Sequence, residues 1–202
     1  EYVHPHYEIT MAILTGPEIL KQIELGAIVI EPFDPQFVNP NSIDVHLGDS
    51  LLRYGMRGRG GVDSRGRRIF DVIDSRNPPP AIDVPIRADG AWLLSPGTLY
   101  LATTKEHTEA YGYVPYIDGR SSMGRLGLFT HVTAGRGDNG FRGNWTLELV
   151  VVEPLLIYPG QRIAQLTYHT MEGDQVMYGE SGNTSGRYQG HSAPTPILLR
   201  KP

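Results

Sequence analysis

The chain has 202 residues, with 24 Gly, 16 Pro and no Cys, and the missing thiol excludes disulfide scaffolds, cysteine nucleophiles, Cys-ligated zinc and iron–sulfur clusters. A formal net charge of −4, from 18 Lys and Arg against 22 Asp and Glu, gives no general attraction for nucleic acid or anionic membranes, so an anionic ligand has to be held by a few placed arginines. No run reaches the roughly 18 apolar residues of a membrane span, and 40% hydrophobic content suffices for a core, so the expectation is one cytoplasmic domain.

Residues 1–10 carry His4 and His6 without an apolar period and read as an extension or tag remnant. Thr15 and Glu18 then stand at the spacing of a capping box, and Pro17 suits a first helical turn. Ile19, Leu20 and Ile23 recur at helical intervals up to Gly26, which predicts a helix of about ten residues. Residues 27–30 read as a short strand, and Pro32, Pro35 and Pro40 as an extended crossing. In residues 42–47 polar and apolar side chains alternate strictly, the pattern of a half-buried strand with Ser42, Asp44 and His46 on its wet face.

From residue 53 to 80 arginines and glycines intermix and end in Pro78-Pro79-Pro80, which predicts a loop or projecting hairpin inserted in a domain spanning 11–178. After Trp92 the apolar segments 99–103, 112–117, 126–132, 145–152 and 162–168 are separated by Gly, Pro, Asp and Asn at intervals of about ten residues. Many short strands so spaced predict an antiparallel sandwich or barrel. The tail, 179–202, is polar and Gly/Ser-rich and reads as a flexible segment that orders on a ligand.

Two features carry chemistry. The run from Asp118 to Arg125 places Arg120, Ser121, Ser122 and Arg125 among glycines, the donors a phosphate-binding turn needs. A solvated polar loop has the same composition, so the run alone decides nothing. Glu148 interrupts the otherwise apolar and β-branched run Trp145-Thr146-Leu147-Glu148-Leu149-Val150-Val151-Val152. Strand alternation could turn it toward water; buried, it would need a partner or a function. Asp44 and Asp138 raise the same question, with a turn-forming role the plainer option for Asp138.

Asp118-Gly119-Arg120-Ser121-Ser122, His131-Val132-Thr133-Ala134, Asp138 with Gly140-Phe141-Arg142-Gly143, and Thr146-Leu147-Glu148 together closely resemble the dCTP deaminase family, which shares its fold with the trimeric dUTPases. Pro40-Asn41-Ser42-Ile43-Asp44, Pro159-Gly160-Gln161-Arg162 and Ser185-Gly186-Arg187-Tyr188-Gln189-Gly190 extend the likeness over most of the chain. The resemblance implies a mainly β, distorted jelly-roll subunit (a dUTPase-like β-clip) in a homotrimer with shared active sites. It also implies zinc-independent hydrolysis of dCTP to dUTP and ammonia, supplying dUTP for dUMP and dTTP synthesis. Mg²⁺ would be bound through the triphosphate, and dTTP is a candidate inhibitor.

By the same resemblance Glu148 is the general base, the Ala134 carbonyl orients the water, and Ser121 and Arg125 support the reaction. Arg120, Ser121, Ser122 and Arg125 would meet the triphosphate, and Thr133 would join the substrate contacts. Asp138 would bind the 3′-hydroxyl and Phe141 the sugar face, while Tyr178, Arg187 and His191 would close over the phosphates. The lack of cysteine fits this chemistry, because zinc nucleobase deaminases hold their metal with Cys ligands.

Three departures from the family pattern stand out. Gly137-Asp138-Asn139 replaces the usual Ile before the Asp and Pro or Ala after it, which predicts a more flexible turn; Arg187 stands where Lys is usual, and His191 where Gln is common. Alternative readings are a bifunctional enzyme that releases dUMP and pyrophosphate, a plain dUTPase, in which Glu148 has no evident task, and a nucleotide-sensing regulator on the same scaffold.

Overall fold

The computed structural model describes residues 12–55, 64–65, 73–130, 133–180 and 186–199. The extension 1–10, most of the 53–80 insertion, His131 and Val132 lie outside the described residues. The predicted helix is α1 (Gly16–Glu24), capped by Thr15, whose Oγ1 accepts from the Glu18 N–H at 3.4 Å. Its apolar stripe turns inward through Ile19, which is fully buried. Gly16 has no room for a side chain, since a Cβ would lie 2.3 Å from the Asn39 carbonyl oxygen.

The strands are β1 (Ile28–Glu31), β2 (Ile43–Tyr54), β3 (Ala81–Asp83), β4 (Trp92–Leu94), β5 (Tyr100–Ala110), β6 (Val114–Gly119), β7 (Leu128–Thr130), β8 (Arg142–Val151), β9 (Leu155–Ile157) and β10 (Arg162–His169). One sheet runs in the order β6-β10-β2-β5-β8-β7, with β1 on β5 and β3 on β2, and β4 pairs with β9 in a smaller sheet. Every pairing between these strands is antiparallel. This is the mainly β, distorted jelly-roll architecture that the spacing and the family resemblance predict. Val45, Leu47, Leu94, Leu147, Leu149, Ile163 and Leu166 from four of these strands meet in one core, and burying each such side chain contributes about 2 kcal/mol.

The structure corrects one reading that bears on the site. Residues 42–47 are not half-buried: Asp44 is 5% exposed, because its carboxylate is covered from the polar face. Arg120 Nη2 lies 3.1 Å and Arg162 Nη1 3.4 Å from Asp44 Oδ2, and Asn39 Nδ2 donates to Oδ1 at 3.0 Å. Alternation thus marks a strand with a second, charged burial layer. The neighbouring His46 also has a buried partner, Glu106 on β5, whose Oε1 lies 2.6 Å from His46 Nδ1 and whose Oε2 accepts from the His46 backbone N–H at 2.9 Å. Glu106 occupies the irregular stretch of β5 where the register with β8 shifts between Thr103 and His107.

Candidate active site

Strand β8 alternates as an amphipathic strand should, but its second face meets a cavity rather than bulk water. Trp145, Leu147 and Leu149 point into the core, whereas Asn144, Thr146 and Glu148 are half-buried. The cavity beside them has a volume of about 530 Å³ and is lined by Glu148 together with Leu99, Leu101, Ala134, Asp138, Phe141, Tyr178 and His191. Leu101 is the direct cross-strand neighbour of Glu148, so the carboxylate sits against apolar surface. Among the described residues Glu148 has no hydrogen-bond or ionic partner. A half-buried carboxylate with nothing to pair with is available to a ligand.

The loop before β8 brings two more of the expected residues, Ala134 and Asp138, to the same cavity. The flexible turn predicted for Gly137-Asp138-Asn139 is not what the structure has. A Cβ on Gly137 would lie 2.5 Å from the Trp145 ring and 2.9 Å from Pro115, so this glycine is required by close packing. Asn139 is 4% exposed and ties three segments together. Its Oδ1 accepts from Gly112 N–H at 2.8 Å, its Nδ2 donates to Val176 O at 3.3 Å, and its carbonyl accepts from Tyr178 N–H at 2.7 Å. Asp138 and Tyr178 are therefore placed by one buried carboxamide residue.

The turn at residues 120–125 forms a short helix, α2 (Ser121–Gly124). Ser121, Ser122 and Arg125 are exposed, and among the described residues none of their side chains has a partner. Arg120 differs, because its guanidinium is held by Asp44. None of these four residues lines the cavity around Glu148, and neither does Thr133. Within one chain the expected site is thus in two pieces.

From the tail, Tyr178 and His191 line the cavity and Arg187 does not. Arg187 Nη1 donates to the Leu198 carbonyl at 2.9 Å, and its own carbonyl lies 3.0 Å from His191 Nε2. Residues 186–199 cross the open face of β8: Thr195 N–H donates to Thr146 Oγ1 at 3.0 Å and Ile197 N–H to the Tyr54 hydroxyl at 3.2 Å. Tyr54, Tyr188, Thr195 and Ile197 also line the cavity, and sequence reasoning missed them in that role. The signal available for Tyr54 was its place at the end of the apolar run of β2; Ile197 offered only an apolar side chain in a polar tail.

On the far edge of β5, Glu109 receives the Tyr111 hydroxyl, and His107 Nε2 lies 2.9 Å from its Oε1. Burial disfavours its ionised form, but those hydrogen bonds and the nearby Arg142 outweigh burial and hold the carboxyl below its usual value. Tyr168, wholly buried in β10, has its phenol pushed up by desolvation.

A dCTP deaminase-like family model matches residues 13–171. The chain is 44% identical over 189 residues to a protein of Clostridium beijerinckii named "dCTP deaminase, dUMP-forming", covering 94% of this chain and 97% of that one. A protein of the same name from Leptospira biflexa is 44% identical over 190 residues, again covering 94% and 97%. Among solved structures, the 2′-deoxycytidine 5′-triphosphate deaminase from Agrobacterium tumefaciens superimposes with a TM-score of 0.57 at 21% identity. That match covers 80% of this chain and 49% of the other, so this chain spans about half its length, and the likeness concerns the fold alone.

Proposed function

The chain belongs to the dCTP deaminase-like family, and from that premise we propose that it converts dCTP to dUMP by two hydrolyses. In the first, water adds to C4 of cytosine, the amine leaves as ammonia and dUTP forms. In the second, water attacks the α-phosphorus, releasing pyrophosphate and dUMP. The observation that carries the reading is Glu148, a carboxylate without a partner among the described residues, set against apolar surface in a nucleotide-sized cavity. It takes a proton from the attacking water and returns protons to the intermediate and the departing amine, each transfer regenerating the form that the next one needs. The Ala134 carbonyl orients the water, Asp138 accepts the sugar 3′-hydroxyl, and Phe141 lies against the deoxyribose.

Of the two product readings, release of dUTP or of dUMP, the name carried by the 44% identical relatives favours dUMP. The turn at Ser121, Ser122 and Arg125, exposed and away from the cavity, suits donation to a neighbouring copy's nucleotide, which supports a homotrimer with shared sites. Mg²⁺ would be held by the phosphate oxygens of the nucleotide and would screen their charge. No helix among the described residues is long and apolar enough to cross a membrane.

Incubation with dCTP and Mg²⁺ followed by separation of the nucleotides tests the proposal. The expected products are dUMP and pyrophosphate. Accumulated dUTP would confine the activity to deamination, and unchanged dCTP would overturn both enzyme readings in favour of a nucleotide-sensing role.

A further inference from the structure

Gln189 takes part in no step above, yet its side chain has a specific seat. Its Oε1 accepts from the Arg142 backbone N–H at 2.8 Å, and its Nε2 donates to the Gly140 carbonyl at 2.7 Å. These two backbone groups flank Phe141, so one carboxamide closes on the main chain from both sides of that ring. The main chain then continues the contact: Gly190 N–H donates to Arg142 O at 2.8 Å, and Asn144 N–H donates to His191 O at 2.8 Å.

Gly143 makes this approach feasible. Its φ is +144°, and a Cβ there would lie 2.9 Å from the His191 carbonyl oxygen and 3.3 Å from the His191 nitrogen. Only a residue without a side chain lets the tail backbone come so close. Phe141 in turn packs on Trp145, with ring centroids 5.1 Å apart, and on Tyr178, at 6.2 Å. The ring thus packs between Trp145 and Tyr178, and Gln189 holds the main chain on both sides of it.

We infer that Gln189 is a positioning residue that fixes the Phe141 wall of the cavity and so sets the preference for deoxyribo- over ribonucleotides without touching the nucleotide. The inference rests on the reading of Phe141 as the face against the sugar. Seating of the tail and placement of that wall are one event, because the same carboxamide makes both. Glutamate could not donate to Gly140 O, and asparagine is one methylene shorter, so neither side chain reproduces the clamp.

The test uses Gln189→Ala in the full chain, with dCTP and CTP as substrates and residue-resolved hydrogen exchange on the nucleotide-free protein. Loss of one backbone–side-chain hydrogen bond at each flank should speed Arg142 amide exchange about fivefold or more, with β10 amides unchanged. For dCTP, KM should rise about fivefold with kcat within about twofold, and the preference for dCTP over CTP should fall about fivefold. Wild-type exchange at Arg142 would overturn the inference, as would faster exchange with an unchanged dCTP-to-CTP preference. If the wild-type protein turns over neither nucleotide, the functional reading fails separately, and the preference is then read from the ratio of Kd values for dCTP and CTP in the two proteins.

Discussion

The cavity over β8 and the turn at residues 120–125 carry the two densest sets of expected site residues, and they are built in opposite ways. Around Glu148 the chain encloses the space with its own strand, loop and tail, leaving a half-buried carboxylate among Leu99, Leu101 and Phe141. At the turn, Ser121, Ser122 and Arg125 stand exposed on a four-residue helix, and order comes from beneath, where Asp44 holds Arg120 and Arg162. Proton transfer at a base needs a confined, correctly placed carboxylate, whereas a polyphosphate needs open donors. On the proposed reading the two pieces are complementary halves of one site, and a nucleotide reaching both would bridge two copies of the chain.

The sharpest way to break the comparison is on the cavity side. Glu148→Gln keeps shape and removes the base, so deamination should fall by about 10³-fold while dCTP binding persists, measured by turnover and calorimetry. On the turn side, Asp44→Ala leaves two arginines without their buried partner, which should cost about 3 kcal/mol in a denaturant melt and weaken nucleotide binding more than kcat. Asn139→Ala removes the acceptor of Gly112 N–H and a tie to Val176, so stability should drop by about 2 kcal/mol, read as a lower thermal midpoint.

The smallest effect is in pH. The Glu109 carboxyl is held below its ordinary value of 4.5 in the fold, so its contribution is present above that value and is lost as pH falls through the lower folded value. In Glu109→Gln the thermal midpoint should accordingly decline less steeply with acidification over that range than in the wild type.

Much of the architecture was legible because it follows from local chemistry. The Thr15–Glu18 cap, the apolar segments between turn residues and the odd carboxylate at 148 all found their places in the structure. Three things were not legible, each for a physical reason. Alternation around Asp44 looks the same whether the polar face meets water or two guanidiniums. Gly137 looked flexible because the Trp145 ring that fills its side-chain space is contributed by a different element. Separation of the 120–125 turn from Glu148 depends on how sheet β6-β10-β2-β5-β8-β7 is ordered, which short-range patterns do not encode.

The central claim is that Glu148 acts in a site finished by the turn of another copy. Glu148→Gln and Arg125→Ala proteins, each inactive alone, can be unfolded, mixed in equal amounts and refolded together. The account predicts recovery of about a quarter of wild-type dCTP turnover, the share of sites drawing an intact Glu148 and an intact Arg125 from different chains. A mixture as inactive as its components would contradict it.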